Sequence, residues 1–406
     1  MGIVSLTTVA IVEPSKRFQL LDKLLFDTRQ YWQVVAFEHL TIPWPQLQSE
    51  LLRLSDDAVS TLDSDTDALF TFFSRYIPEL EQLTVLSALP QKVGRRDELP
   101  FWLSNGIKGR KLEQLQDFVA AVNETKASVL EWCAGKGHLG RLLSYHGAPE
   151  VNSIELQADL CRQGEESAKR QNLNLHFHCA DVLKDDIHHH FVENRHGIAL
   201  HACGELHRVF MHQAVANGMK KLSLSPCCYH LFTPPDYQAM SVEAQQSQLN
   251  LSHHDMKLAL QETVTAPGRV AQVRKKEVSW RLGFDALRRE LTADKHYVSV
   301  PSVNKAIFSG SFSEFCYWAA EQKQLALPDG IDFDQYERIG RERKQVTDRI
   351  ELVRHVFRRA IEIWLVLDRV LYLQAAGYDV TLSTFCEKSL TPRNILIQAE
   401  RQSENH

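Results

Sequence analysis

The chain has 406 residues, a formal net charge of -5 and 44% hydrophobic residues. This length exceeds one average domain, and the apolar content excludes long disordered tracts. The slightly acidic balance gives no global argument for nucleic-acid binding, so only local basic patches can support it. The first residues lack the basic stretch and long apolar core of a signal peptide, and we expect no membrane helix. Eight cysteines in a chain of this length predict reduced thiols and a cytoplasmic location.

The pattern of apolar residues divides the chain into four predicted regions. Residues 1–105 have apolar side chains at helical spacing and predict an N-terminal helical domain. Residues 106–240 alternate short apolar strands with helices, which predicts a Rossmann-like, doubly wound sheet. Residues 241–376 predict a helical insertion, and residues 377–406 predict two strands that complete the sheet. The expected class is therefore α/β, and ligands of such sheets bind at the carboxyl ends of the strands.

A glycine-rich loop follows the first predicted strand of the sheet. In EWCAGKGHLG, Gly135, Gly137 and Gly140 form a G-x-G-x-x-G pattern between a strand and a helix. Glycines allow a tight turn and let a ligand approach the backbone closely. Taken alone, this pattern also fits the pyrophosphate of a dinucleotide at a helix N-terminus.

Carboxylates at three successive strand ends favour S-adenosylmethionine over a nicotinamide. Glu131 lies at the end of the first strand, where a carboxylate can face a cationic amino-acid ligand. Glu155 ends the second strand, the place for a carboxylate that accepts hydrogen bonds from ribose hydroxyls. After the third strand, Asp181 can accept from an adenine amino group and Val182 can pack on the ring. Each acid alone is also explained as a helix cap or a surface charge, but the series predicts S-adenosylmethionine as the cofactor.

These motifs carry a resemblance to a known family. The series E-x-x-x-G-x-G, then a strand-end glutamate, then A-D-V resembles class I S-adenosylmethionine-dependent methyltransferases. CAGKGHLGR, LHACGELH, SPCCYH and SLTPRNILI are similar to the subgroup of methyltransferase-like twenty-five and the ribosomal RNA adenine dimethylase domain-containing protein. The eukaryotic tRNA 2′-O-methyltransferase is more distantly similar, although its zinc-finger pattern is absent here. The resemblance covers about residues 105–400, departs at Cys133 where the family has a glycine, and implies an antiparallel last strand and an RNA acceptor.

The topology that the resemblance implies brings thiols and imidazoles to one edge of the cofactor pocket. They follow the first, fourth and fifth strands and comprise Cys133, His138, His201, Cys203, Cys227, Cys228 and His230. Three interpretations are open: small residues that line a cofactor pocket, metal ligands, or a nucleophile that adds to a pyrimidine ring. Adjacent cysteines are not a typical chelate spacing and no C-x-x-C occurs, so we predict no metal site.

The segment SPCCYH after the fifth strand contains the predicted catalytic residues, Pro226 to His230. Methyl transfer is an in-line displacement, so the protein mainly has to position the acceptor. Pro226 fixes the turn, and the thiols of Cys227 and Cys228 line the acceptor side. Tyr229 offers a flat face on which a base can stack. His230 can take a proton near neutral pH or hydrogen-bond within its own loop.

Basic side chains near the predicted pocket favour a nucleic-acid acceptor. Lys108, Arg110 and Lys111 precede the first sheet strand, and Arg393 belongs to the final strand pair. Further cations that can hold phosphates lie in the predicted insertion: Arg274, Lys275, Lys276 and Arg281. We therefore predict structured RNA, tRNA or rRNA, as the partner, methylated on a ribose hydroxyl or a base nitrogen. A protein or small-molecule acceptor, and a non-catalytic binding module, are the alternatives; nothing indicates DNA or a membrane.

Overall fold

The computed structural model describes residues 13–92, 94–122, 126–234, 236–261 and 268–401, except for the side chain at position 269. Its strands are β1 Val129–Trp132, β2 Val151–Glu155, β3 Leu175–Cys179, β4 His196–Cys203, β5 Lys221–Cys227, β6 Tyr378–Thr384 and β7 Ile395–Arg401. They form one seven-stranded sheet in the order β3-β2-β1-β4-β5-β7-β6. β1 to β5 are mutually parallel, whereas β7 runs antiparallel to both β5 and β6. The predicted α/β, Rossmann-like class with an antiparallel last strand is confirmed.

Helices connect these strands and make up most of the remaining described chain. The α-helices are α1 Pro14–Asp27, α2 Arg29–Trp32, α3 Pro45–Arg53, α4 Asp56–Ser64, α5 Thr66–Phe73, α6 Glu79–Ser87, α7 Phe101–Ser104, α8 Gly109–Val122, α9 His138–Tyr145, α10 Ala158–Arg170, α11 Glu205–Ala216, α12 Val242–Gln245, α13 His253–Leu258, α14 Gly268–Thr292, α15 Phe312–Gln322, α16 Phe333–His355 and α17 Arg358–Ala375. Short 3-10 helices span Ala36–Glu38, His188–His190 and Lys305–Ser309. None of the described helices combines the length and the apolar character needed to cross a bilayer.

The chain divides into two compact units. The first, here called the sheet unit, comprises the described residues of 1–27, 82–264 and 358–406. The second, the helical unit, comprises those of 28–81 and 265–357. The division at residues 105, 240 and 376 stays a prediction about domains; the compact units differ from it, because residues 28–81 group with part of the expected insertion.

The core of the sheet unit explains why the strands stop where they do. All residues of β1 and β2 are buried, as expected for a parallel sheet with both faces covered. Phe118 of α8, Leu142 of α9 and Leu396 of β7 belong to one buried cluster beside the sheet. Polar side chains begin where this packing ends, at the carboxyl edge of the parallel strands.

Candidate cofactor and acceptor site

The carboxyl ends of β1, β4 and β5 form the candidate site. Cys133, His138, His201, Cys203 and Cys228 are neither fully buried nor fully exposed there. Half-buried polar side chains along one edge of a parallel sheet are typical of a lined cleft. The structure thus brings together the residues that the sequence predicted at this edge.

Glu131 fixes the glycine-rich loop from inside the protein. Its side chain is buried and accepts hydrogen bonds from the Gly140 N–H at 3.1 Å and the Ser153 hydroxyl at 2.5 Å. Burial raises the pKa of Glu131 to about 7, and these two hydrogen bonds oppose the rise. The expectation of a ligand-facing carboxylate therefore differs from the structure, in which both oxygens are engaged within the protein.

Glu155 and Gly135 form a cradle at the end of β2. The Gly135 N–H donates to Glu155 Oε2 at 2.9 Å, and the Gln157 N–H donates to Oε1 at 3.0 Å. Gly135 has φ +59, and a Cβ added there would extend into open space. Each carboxylate oxygen keeps a further lone pair, so the pair can accept from the hydroxyls of a ribose. This arrangement fits the nucleoside part of S-adenosylmethionine.

Two residues of the loop have the left-handed backbone that glycine tolerates best. Cys133 has φ +55, a conformation that glycine adopts more readily, which agrees with the glycine that the resemblance implies at this position. Gly137 has φ +66 and precedes α9, and a Cβ there would lie 2.4 Å from Cζ of Phe177. Gly137 therefore serves close packing, whereas Gly135 leaves space for a ligand.

Asp181 and Val182 lie just beyond β3. Val182 is buried, as expected for a residue that packs on an adenine ring. The Asp181 carboxylate pairs with the Lys184 ammonium at 2.9 Å and accepts from the Leu183 N–H at 3.1 Å. These two interactions hold the pKa of Asp181 below its usual range. Accepting from an adenine amino group would use a remaining lone pair of this ionised carboxylate.

His138 and His201 are uncharged lining groups. His138 Nδ1 lies 2.6 Å from Nη2 of Arg141, and burial followed by the Arg141 charge lowers the pKa of His138 to about 4. His201 has φ +61 and hydrogen-bonds the side chain of Gln114. Burial and the Lys111 charge lower its pKa to about 4 as well. Gln114 was not predicted; a glutamine on the apolar face of α8 was the available signal.

Three of the four predicted thiols converge. The sulfur atoms of Cys203, Cys227 and Cys228 all lie within 4.8 Å of one another, and those of Cys203 and Cys227 are 3.3 Å apart. Hydrogen bonds from the other two thiols, with His230 and Arg393 nearby, lower the pKa of Cys228. Cys133 is not part of this group, and burial raises its pKa to about 12.

The predicted role of Tyr229 as a stacking surface is wrong. Its side chain is only 1% exposed, because the ring packs inside the sheet unit. The Arg369 guanidinium lies over the ring at 5.3 Å, and the His207 ring is 5.9 Å away. The Tyr229 hydroxyl donates to the carbonyl of Pro226 at 3.5 Å. Tyr229 therefore supports the loop after β5 from behind and offers no face to a base.

His230 borders an open cleft together with the three residues that follow it in the loop, Leu231 to Thr233. The cleft has a volume of about 510 Å³ and also includes Leu183, Glu205 and Lys257 in its lining. His230 Nδ1 has no hydrogen-bond partner among the described residues. Burial and the Lys257 charge lower the pKa of His230, so a neutral imidazole faces the cleft at neutral pH.

Gly204 holds the loop after β5 in place. The Gly204 N–H donates to the Cys227 carbonyl at 3.1 Å, and the Glu205 N–H donates to the Leu231 carbonyl at 2.9 Å. A Cβ at Gly204, which has φ +56, would lie 1.9 Å from the Leu231 oxygen. Only glycine fits this approach. The Cys-Gly pair in LHACGELH was the available sequence signal, although the sequence did not reveal the role of Gly204.

The predicted phosphate-binding side chains of the sheet unit have different surroundings. Lys108 and Arg110 are exposed. Arg110 borders a second cleft, of about 620 Å³, whose lining includes the ion pair between Arg96 and Asp117. Lys111 keeps exposed surface, and its ammonium lies near Glu131 and Cys227.

Arg393 joins the site from the segment before β7. Its Nη2 donates to the Leu260 carbonyl at 2.6 Å. Its charge interacts with Cys228 and with His201 at the ends of β5 and β4. The adjacent Asn394 is buried and donates to the Cys386 carbonyl at 2.7 Å, so it stabilises the turn between β6 and β7.

Two of the four cations predicted in the insertion have structural partners in the helical unit. The Lys276 ammonium donates to the Phe308 carbonyl at 2.7 Å and lies over the Trp280 ring. Arg281 pairs with Glu277 at 2.9 Å and donates to the Val300 and Pro301 carbonyls. Their predicted role in holding phosphates is therefore not supported. Exposed charge at this place is supplied by Arg274 and Lys275.

Residues 108–235 match a family model described as a methyltransferase domain, which covers less than half of the chain. No match was found among curated proteins.

Among solved structures, the chain is similar to a Thermoplasma acidophilum protein, with 16% identity over 31% of this chain and 66% of that one, at a TM-score of 0.26. It is similar to a Pyrococcus horikoshii OT3 protein, with 18% identity over 32% of this chain and 63% of that one, at a TM-score of 0.26. An S-adenosylmethionine-dependent methyltransferase from Aquifex aeolicus shows 15% identity over 32% of this chain and 72% of that one, again at 0.26. The chain thus spans less than two thirds of the first two structures. TM-scores this low add no support to the sheet topology described above.

The matched segment contains the glycine-rich loop, the strand-end acids and the whole loop from Pro226 to His230. Its five parallel strands are followed by an antiparallel pair, in the sheet order given above. Residues 108–235 thus form a methyltransferase domain of Rossmann-like fold, and the cofactor supported by this domain and its strand-end acids is S-adenosylmethionine.

Proposed function

We propose that this chain transfers a methyl group from S-adenosylmethionine to structured RNA, on a ribose hydroxyl or a base nitrogen. The observation that carries the cofactor assignment is the cradle of Glu155 and Gly135 at the end of β2. The acceptor assignment rests on Lys111 and Arg393, whose charges lie near the ends of β4 and β5. The exposed Lys108 and Arg110 precede Lys111 in the chain and would add positive charge for the same acceptor.

The cofactor residues would act by binding and orientation. The bound cofactor supplies an electrophilic methyl group on a sulfonium. Glu155 would accept from the ribose hydroxyls, while Asp181 and Val182 would contact the adenine. Glu131 acts indirectly, because its hydrogen bond to Gly140 holds the loop against α9. Neutral His138 and His201 add no positive charge that would repel a cationic ligand.

The acceptor would enter from the side of His230. Its neutral imidazole can take the proton that a hydroxyl or amino group loses on methylation. Lys111 and Arg393 place positive charge near the thiols at the ends of β4 and β5, where a phosphate of the acceptor can be held.

A protein or small-molecule acceptor is the second candidate, and one observation favours it. Because Tyr229 is buried, it cannot serve as the aromatic platform on which single-stranded bases usually stack. A cleft of about 510 Å³ beside His230 is also within the size range of small-molecule pockets.

Two measurements test the proposal. Calorimetry with S-adenosylhomocysteine and with NAD tests the cofactor, and binding of NAD alone would overturn the assignment. Mass spectrometry of RNA nucleosides from a deletion strain tests the acceptor. We expect a methylated nucleoside that is absent in the deletion strain, restored by wild type and restored poorly by His230→Ala. Unchanged RNA together with cofactor consumption on a protein fraction would favour a protein acceptor. Cofactor binding with no turnover on any fraction would identify a binding module.

A further inference from the structure

The three converging thiols have a geometry that pocket lining does not require. Cys203, Cys227 and Cys228 place their sulfur atoms within 4.8 Å of one another. Zinc binds thiolates at about 2.3 Å, so the sulfurs of a tetrahedral site lie about 3.8 Å apart. The sulfurs of Cys203 and Cys227 lie 3.3 Å apart, and all three sulfurs lie within 4.8 Å of one another. The spacing of about 3.8 Å in a zinc site falls between these two distances.

Unusual backbone at two places directs the thiols to one point. Successive side chains of an extended strand point to opposite faces, so adjacent cysteines cannot normally share a ligand. Cys228 has φ +49, and this left-handed turn brings its thiol back beside that of Cys227.

A bulge in β4 brings the third thiol, that of Cys203, to the same point. The register between β4 and β5 shifts between Leu200 and Ala202, and the intervening His201 has φ +61. Beyond this shift, Cys203 is the direct partner of Cys227. Non-glycine residues in this conformation are strained, and such strain clusters at functional sites.

We propose that these three thiolates bind a zinc ion whose fourth position is open to the acceptor. No nitrogen or carboxylate of the described residues joins the three sulfurs within the same distance limit. Three protein ligands and one exchangeable position characterise catalytic rather than structural zinc sites. Cys203 and Cys228 retain exposed surface, so the open position can be reached from solvent.

The charges around the cluster suit such a site. Binding displaces the protons that the thiols still hold and leaves three thiolates on a divalent cation, a net charge of -1. Lys111 interacts with Cys227, and Arg393 interacts with Cys228, so positive charge lies beside the anionic centre. A disulfide between Cys203 and Cys227 would require an oxidant and would leave the convergence of Cys228 unexplained.

The site narrows the acceptor class and rests on the function proposed above. A zinc ion at this position would lower the pKa of a bound hydroxyl, whose proton would then pass to solvent. The metal keeps its oxidation state. Hydroxyl acceptors gain most from this, because a hydroxyl becomes a strong nucleophile only when it loses its proton, whereas an unprotonated ring nitrogen of a base attacks without losing one. The zinc site therefore favours the ribose hydroxyl over the base nitrogen.

The test measures metal and cofactor separately on the full chain. The protein is purified without chelators, saturated with zinc, desalted, and analysed for zinc by mass spectrometry. Cobalt substitution of the wild type gives a second readout, because thiolate ligands produce a charge-transfer band. The variants are Cys203→Ser, Cys227→Ser and Cys228→Ser, with the exposed thiol variant Cys179→Ser as the matched control.

We expect one zinc per chain in wild type and in Cys179→Ser, and a large loss in each cluster variant. The cobalt charge-transfer band should weaken in the same three variants. Wild type that keeps no zinc, zinc retained in all three variants, or a Cys203–Cys227 disulfide found after anaerobic purification would each overturn the inference. Calorimetry with S-adenosylhomocysteine distinguishes the two proposals: cofactor binding without zinc rejects only the metal site, and zinc without cofactor binding rejects the methyltransferase.

Discussion

Buried polar groups serve opposite purposes in the helical unit and at the edge of the sheet unit. Asp285 of α14 is 1% exposed and pairs with Arg288, Arg289 and Arg343 at 3.0, 2.7 and 2.8 Å. Both of its oxygens are used by neighbouring guanidinium groups. At the sheet edge, by contrast, His230 Nδ1 has no described partner, and three thiols crowd together on unusual backbone.

This difference distinguishes polar groups that stabilise the fold from polar groups that can bind a ligand. A charge that is buried and fully paired contributes to one fixed arrangement, and losing one partner is expensive. A polar group that is held in place but has an unused donor or acceptor can instead bind another molecule. Changes in the first class should therefore reduce stability, and changes in the second should reduce binding.

The largest effect is expected from Asp285→Asn. Removing this charge leaves three buried guanidinium groups without their shared partner, which should lower the free energy of unfolding by about 3–5 kcal/mol. Urea unfolding measures it. Asp294→Asn is the matched control, because its side chain is 42% exposed and pairs with Arg288 at 2.9 Å. That change should cost less than about 1 kcal/mol. Equal losses of unfolding free energy in the two variants would contradict the distinction between a buried, fully paired charge and a surface charge.

The two glycines of the cofactor loop sharpen the comparison within five residues of chain. Gly137→Ala combines a left-handed backbone with a 2.4 Å approach to Phe177 and should cost roughly 2–4 kcal/mol of stability. Gly135→Ala meets no protein atom and should cost only about 1–2 kcal/mol. Its added methyl group lies where the ligand would approach, so affinity for S-adenosylhomocysteine should fall. Unfolding and calorimetry of both variants test this, and unchanged affinity in Gly135→Ala would contradict the assigned cradle.

Glu155→Ala should reduce binding more than stability. It removes the carboxylate proposed to accept from the ribose hydroxyls, which should cost about 1–3 kcal/mol in cofactor affinity. The Gln157 N–H that it also releases belongs to an exposed residue, so water can replace that hydrogen bond. Calorimetry with S-adenosylhomocysteine measures the loss. Glu166→Ala on α10 is the control, because that carboxylate is exposed and should not affect binding. A similar affinity for both variants would place the ribose elsewhere.

The sequence predicted the sheet better than it predicted side-chain directions. Alternating strands and helices, together with the family motifs, were enough for the α/β class and its antiparallel last strand, because these depend on periodicity and chain order. Tyr229 was misplaced because an aromatic residue after a strand looks the same in sequence whether it faces solvent or Arg369. Asp368 and Arg369 interrupt an apolar helix, a pattern that signals buried charges but does not identify their partners.

The thiol cluster shows a second limit. Cys227 and Cys228 were set aside as metal ligands because adjacent residues normally point apart. Their convergence depends on φ +49 at Cys228 and on a bulge in a different strand, β4. No local pattern in SPCCYH encodes either feature. Motif spacing therefore located the site. The metal binding proposed for its thiols could be inferred only from the backbone geometry.

The smallest effect concerns a buried imidazole within the sheet. His196, the first residue of β4, is fully buried and hydrogen-bonds the Ser223 hydroxyl at 2.9 Å. Burial, with the nearby Lys221 charge, lowers its pKa to about 3, below its value of 6.5 in an unfolded chain. The unfolded state therefore binds the proton more tightly between these values. Stability should be fully present above about pH 6.5 and fall on acidification by about 1.4 kcal/mol per pH unit for this residue.

His196→Gln isolates that contribution, because glutamine keeps a hydrogen-bonding group for Ser223 but does not titrate. Other histidines with lowered pKa, such as His138 and His201, are present in both proteins and cancel in the comparison. Urea unfolding at pH 7.5 and at pH 5.5 should show a stability loss that is smaller in the variant, by roughly 1–1.5 kcal/mol over this interval. Identical losses of stability in the two proteins would contradict the assignment of His196 as a buried, neutral imidazole. This part of the sheet would then resemble the sheet edge near His230 more than the Asp285 cluster.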